Sequence, residues 1–221
     1  MNAPRAWHAV TALAAGTGVL MEVVVALLDG PGPAGSMLER LVRLFSYFTV
    51  LSNVLVCVVA VLLVIAPARD GRLFRIARLD ALLCIAVTGI VYNTVLTGLV
   101  ELSAAGAVSN FLLHVLTPVL VVVGWLLFGP RPRIDRRTIW WSAVPPLAWI
   151  AYTFVRGAIV DWYPYPFLDV GANGYLASLV STALVAVVFL ALAFGAGWLD
   201  QRMKLGADSP SRRQGSPDPG R

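Results

Sequence analysis

The chain has 221 residues, 58% of them hydrophobic and only 13% charged, with a mean hydropathy of +0.78. Soluble domains carry about twice that charged fraction, so a soluble globular fold is excluded and an all-α, polytopic membrane helix bundle is expected. The net charge of +5 does not indicate a nucleic-acid partner, because the basic residues gather in short loops between apolar runs, which is a topology signal. Sixteen of the seventeen basic residues are Arg; with much Ala, Val and Gly, that points to GC-rich coding and a bacterial source. Cys57 and Cys84 lie inside apolar runs, where a free thiol behaves as a small apolar group, so no disulfide framework is indicated.

Six spans are expected, near residues 7–28, 41–66, 79–100, 109–128, 139–160 and 174–198. The first follows Arg5 as a signal peptide would, but it exceeds the usual apolar core of about 7–15 residues and reads as an uncleaved helix. Breaker-rich GPGPAGS, from Gly30 to Ser36, separates spans one and two. The second span, unbroken to Pro67, carries a stripe of Ser46, Thr49 and Asn53 at i, i+3 and i+7, on one helix face. Thr88, Tyr92, Asn93 and Thr97 fall in the third span, His114 and Pro118 in the fourth, and Pro145, Pro146 and Arg156 in the fifth. Ala191 and Gly195 in the sixth form a small-xxx-small pair suited to close helix packing. Residues 1–199 are thus read as one transmembrane domain, and 200–221, rich in Ser, Pro, Gly and Arg, as a disordered cytoplasmic tail.

Six spans put both termini on one side. That side collects fourteen basic residues, against Arg40, Arg43 and Arg156 on the other, so the positive-inside rule places the termini in the cytoplasm of a cell (plasma) membrane. At about 1.5 Å per residue, Thr49 is then roughly 12 Å and His114 roughly 8 Å below the outer surface, with Tyr92, Asn93, Glu22 and Arg156 at similar depths. Lipid cannot satisfy these groups, so they must face protein or a wet cavity. Pro118 cannot donate to the carbonyl of His114, which frees that carbonyl and kinks the helix beside the imidazole.

A threonine hydroxyl and a neutral imidazole in one low-dielectric pocket suggest nucleophilic acyl transfer, with the histidine as base. Asn53, Tyr92, Asn93 and Arg156 are candidate oxyanion donors, and Glu22, Asp161 or Asp169 could orient the ring. A metal site or bis-histidine haem is not expected, because His8 and His114 fall near opposite faces; no cofactor is implied. There is no phosphate-binding glycine loop, GxSxG elbow or CxxC.

The segments FSYFTVLSN (Phe45–Asn53), NFLLHVLTP (Asn110–Pro118) and WYPYPFLD (Trp162–Asp169) resemble a bacterial family of six-span membrane proteins that is similar to the eukaryotic androgen-induced, FAR-17a-like membrane proteins. Members of the eukaryotic branch are threonine/histidine hydrolases of fatty acid esters of hydroxy fatty acids. The resemblance implies that Thr49 is the nucleophile and His114 its base. Asn110 precedes that histidine by four residues, and Tyr165, Pro166, Phe167, Leu168 and Asp169 match the YPFL-acid motif. Departures are Phe111, where relatives often carry a second histidine, and Val115, where they carry a threonine.

The combined expectation is an intramembrane hydrolase of lipid (fatty-acyl) esters working from the outer leaflet. Membrane lipids or lipid-like esters are its expected partners. Thr49 attacks, His114 moves the proton, Asn53 and Asn93 donate to the oxyanion, and the loop with Trp162, Tyr165, Pro166 and Asp169 covers the site. The alternative is a non-enzymatic lipid- or hydrophobe-binding protein or a small transporter. A transporter should show broken helices paired between its halves, and prolines inside spans occur only in the second half. A separation of Thr49 from His114 beyond hydrogen-bond reach would remove the dyad.

Overall fold

A computed structural model describes residues 2–99, 102–131 and 133–207. Among these there is no strand, and six helical stretches are long and apolar enough to cross a bilayer: Ala3–Leu28, Phe48–Ile65, Arg72–Leu96, Ala104–Phe128, Arg136–Val160 and Val170–Met203. The chain is a multi-pass all-α membrane bundle. In order, the helices are α1 (Ala3–Leu28), α2 (Met37–Ser46), α3 (Phe48–Ile65), α4 (Arg72–Val91), α5 (Ala104–Phe111), α6 (Thr117–Phe128), α7 (Arg136–Ser142), α8 (Val144–Val160) and α9 (Val170–Ala207).

The second span does not run unbroken from residue 41. Ser36 caps α2 by accepting from the Glu39 amide at 3.1 Å. This helix carries Glu39, Arg40 and Arg43 opposite Leu38, Leu41 and Val42, a composition that belongs at a membrane surface. Tyr47 is extended (φ −69°, ψ 128°) and turns the chain into α3. Three charges in two turns are too costly to carry into hydrocarbon, so the crossing helix starts only at Phe48. Thr49 is therefore in its first turn, not some 12 Å down it.

Two spans are irregular on the same side of the bundle. The end of α4 widens into a π-turn over Tyr92–Leu96, and a second π-turn, Leu112–Leu116, joins α5 to α6. Such turns recur at functional sites. The fifth span is interrupted at Ala143, just before Pro145 and Pro146, and α9 contains a non-helical Gly174 at φ 76°.

The last helix runs on past Asp200, where the tail was expected to begin, to Ala207. Asp200 is buried, and its Oδ2 accepts from the Arg133 and Ile134 amides at 2.5 and 2.9 Å. That bond fastens the end of α9 to the α6–α7 loop. The expected disorder of 208–221 lies outside the described residues.

Nor do Ala191 and Gly195 pack closely against another helix. Both are exposed, and a Cβ on Gly195 would meet nothing within 4 Å. The packed face of α9 is instead Ala193, Ala196 and Gly197, against Ile134 and Ile139. Gly18 of α1 packs tightly beside the π-turn that carries His114, where a Cβ would lie 2.6 Å from Leu113 Cδ2. Gly18→Ala should lower stability by about 1–3 kcal/mol in thermal unfolding of the detergent-solubilised protein, whereas Gly195→Ala should leave it within about 0.5 kcal/mol.

Candidate active site

The break at Tyr47 leaves the first amides of α3 without helical partners. The Thr49 amide donates to the Tyr165 phenolic oxygen at 3.2 Å, and the Thr49 Oγ1 is also 3.2 Å from that oxygen. His114 Nε2 lies 3.3 Å from the same Oγ1. The dyad separation is therefore within hydrogen-bond reach.

Proton positions follow from the other ring nitrogen. His114 Nδ1 lies 3.1 Å from the Asn110 carbonyl. A carbonyl only accepts, so a neutral ring carries its proton on Nδ1 and turns the Nε2 lone pair to Thr49. The Thr49 hydroxyl then donates to His114, and Tyr165 donates to Thr49. Burial pushes the Tyr165 phenol up to about 12, against the Thr49 hydroxyl and the Thr49 and Phe48 amides, which lower it; it stays a protonated donor. Tyr92 stacks on the imidazole with ring centroids 3.9 Å apart.

Thr49 and Tyr165 also face an apolar cavity of about 220 Å³ between α3, α4, α7, α8 and α9, with Phe48, Val87, Trp149 and Phe189 in its wall. His114 is not in that wall. The hydroxyl thus stands between its base and the cavity.

Several expected roles are overturned by where the polar atoms go. Asn53 spends its amide on the carbonyls of Thr49 and Leu113 at 2.9 and 3.3 Å. Asn93 spends its amide on Gly89 and His114 at 2.8 and 3.2 Å, meeting the carbonyl that Pro118 leaves free. Neither has a hydrogen left for an oxyanion. Tyr92 offers the imidazole a ring face, and Asn110 acts through its backbone. Ser46 leaves the Thr49 face because Tyr47 resets the helix phase; it donates to the Val42 carbonyl and accepts from Tyr152, both at 2.7 Å.

Arg156 is drawn off to Glu39, its Nη2 at 2.6 Å from Oε1, and Arg43 reaches the same oxygen at 2.8 Å. Both guanidiniums lie 5.2 Å from the Trp162 ring centroid. They hold the Glu39 carboxyl below its ordinary value of 4.5. Of the groups expected to orient His114, Glu22 instead accepts from Ser109 at 2.5 Å, Asp169 caps α9 by accepting from the Ala172 amide at 3.1 Å, and Asp161 ends α8 at φ 50°.

The loop over the site is built as a fixed cover. Trp162 packs edge-on to Tyr47 at 5.8 Å, Tyr47 to Tyr165 at 5.6 Å, and Phe167 stacks on Tyr165 at 5.5 Å. The Pro166 carbonyl accepts from Asn173 Nδ2 at 2.6 Å. Sequence reasoning placed Tyr165 only in the cover and missed Glu39 and Trp149; the capping pattern Ser36–Glu39 was the available signal for the former. Among the described residues, no group of three His, Cys, Asp or Glu side chains is placed to hold a metal.

No family model, curated protein or solved structure matches the chain.

Because Asn53 and Asn93 serve backbone carbonyls, Asn53→Ala and Asn93→Ala should each cost about 1–2 kcal/mol in thermal unfolding: the first leaves a buried acceptor bare and the second leaves one facing lipid. The Glu39 clasp, with its depressed carboxyl, is complete above pH 4.5 and is lost as pH falls through the lower folded value. Protease cutting of the 161–169 loop should rise in that acid window, and Glu39→Gln should raise it at neutral pH.

Proposed function

We propose that the protein is an intramembrane hydrolase of lipid (fatty-acyl) esters with Thr49 as nucleophile and His114 as base. The observation that carries the reading is the directional chain at Thr49. The Asn110 carbonyl holds the Nδ1 proton of His114, so the Nε2 lone pair faces a hydroxyl that opens onto an apolar cavity. The family resemblance of the three segments supports the same assignment.

In this mechanism Thr49 Oγ1 attacks the ester carbonyl as its proton passes to His114 Nε2. The tetrahedral oxyanion is met by the Tyr165 hydroxyl, which lies 3.2 Å from Thr49 Oγ1, and by the Thr49 amide once it is released from the Tyr165 oxygen. The Tyr92 face supports the imidazolium. His114 returns its proton to the departing alcohol, leaving an acyl-threonine. It then takes a proton from water, which attacks the acyl carbon; the acyl–Oγ1 bond breaks, His114 returns the proton to Thr49 Oγ1, and the fatty acid leaves. The apolar cavity holds the acyl chain, which suits a substrate entering from lipid. The site lies in the outer half of a cell membrane, with both termini cytoplasmic by the arginine asymmetry.

A binding protein or small transporter would use the same cavity without the chemistry. The first half does contain a break, at Tyr47, where the sequence pattern shows none. That break sits where a surface helix meets its span, and it presents the Thr49 amide and hydroxyl rather than an ion path.

A fluorophosphonate probe should label the purified protein. Thr49→Ala should abolish labelling, His114→Ala should slow it about 10²–10⁴-fold, and Tyr165→Phe about 10²-fold, with all variants equally folded. Persistent labelling of Thr49→Ala would name a different nucleophile. No labelling of the wild type would favour the binding reading.

A further inference from the structure

At the end of the bundle opposite the Tyr165 loop, α1 begins, α6 ends and α9 ends together. Trp7 donates to the Leu120 carbonyl at 2.9 Å, and Asp200 holds the loop before α7. Most arginines here are engaged. Arg75 makes two hydrogen bonds to Asp70, both 2.7 Å, and Arg133 reaches Asp70 at 3.0 Å and the Arg69 carbonyl at 3.1 Å. Arg131 donates to the Trp125 and Leu126 carbonyls, lies over the Trp125 ring, and is 3.8 Å from Asp200. Both Asp200 oxygens are thereby turned to the loop and to Arg131.

Arg78 differs from its neighbours. It stands two turns into α4 and is partly buried. It has no hydrogen bond or ion pair with any described residue. It lines two clefts, one of about 40 Å³ beside His8, Thr11 and Trp125, the other of about 20 Å³ beside Arg75, Arg133 and Asp200. The positive-inside rule asks only for charge outside the hydrocarbon. It does not ask for a guanidinium that lines two clefts between helices with no carboxylate among the described residues bonded to it, where an incoming anion would gain charge-assisted hydrogen bonds. Four guanidiniums meet Asp70, Asp200 and, from the start of α7, Asp135 beside Arg75, so the cluster carries an excess positive charge.

We infer that Arg78, with Arg75, Arg131 and Arg133 around it, forms a binding site for a phosphate-bearing anion, supplied by the headgroup of an anionic phospholipid. The guanidinium fork matches phosphate oxygens, and the bilayer surface is where such phosphates are concentrated. Each cleft has room for a water or one phosphate oxygen, not for a whole headgroup. The phosphate therefore sits at the rim with an oxygen directed inward, and the acyl chains remain in the bilayer.

The test uses the full chain in nanodiscs of phosphatidylcholine alone or in an equimolar mixture with phosphatidylglycerol. Lipid retained on extraction is read by native mass spectrometry. The wild type should retain phosphatidylglycerol in preference to phosphatidylcholine. Arg78→Gln should weaken that retention about tenfold, and Arg78→Lys, which keeps the charge but not the fork, should fall between; the lysine variant carries the test if the glutamine variant does not fold. Arg136→Gln, an exposed arginine at the same end that lines neither cleft, should match the wild type. A thermal shift with inorganic phosphate in phosphatidylcholine nanodiscs, absent in Arg78→Gln and found without any preference for phosphatidylglycerol, would keep the site but overturn the lipid as its source. Equal loss in Arg78→Gln and Arg136→Gln, or neither a preference for phosphatidylglycerol nor a phosphate shift, would overturn the site itself. None of these readings depends on hydrolase activity.

Discussion

Lipid forms no hydrogen bonds with the chain, so each carbonyl released inside a span has to be met by the protein. Pro118 releases the carbonyl of His114, and the π-turn over Leu112–Leu116 disturbs those around it. Three neighbours answer: Asn93 on the His114 carbonyl, Asn53 on the Leu113 carbonyl, and the His114 ring itself on the Asn110 carbonyl. The last bond is the consequential one, because it directs the proton to Nδ1 and leaves Nε2 as an acceptor facing Thr49. A backbone-repair requirement thus orients the imidazole, with no carboxylate among the described residues bonded to it.

The second constraint is electrostatic. Glu39, Arg40 and Arg43 keep α2 at the membrane surface, so the chain must turn at Tyr47 before it can cross. That turn puts Thr49 at a helix start, where its amide has no helical partner and donates to Tyr165 instead. The Tyr165 loop closes over this point, held by aromatic edges to Tyr47 and by Trp162 against the Arg43 and Arg156 guanidiniums. The proposed nucleophile, donor and cover therefore depend on one helix break and on the ion cluster beside it.

Periodicity and hydropathy were enough to read six apolar spans, the freed carbonyl at His114, and a polar gathering that includes Thr49, Asn53, Asn93 and His114. They did not separate groups that face a substrate cavity from groups that repair backbone. Asn53 and Asn93 look like oxyanion donors in sequence because an amide shows no partner there; in the fold both hydrogens are taken. Arg156 looked like a site cation until Glu39, 117 residues away in sequence, drew it off. The break at Tyr47 was also hidden, since neither proline nor glycine marks it.

What the sequence by itself determined is the class and the material: apolar runs must enter lipid, charged turns must stay out, and a proline must free a carbonyl. Those consequences follow from local chemistry. The tertiary structure alone decided which groups meet: Thr49 with His114 and Tyr165, Arg156 with Glu39, and Arg78 with no anion among the described residues. Hydrogen-bond partners in a bundle are set by how helices pack and where they break, and residues distant in the chain compete for the same donor or acceptor.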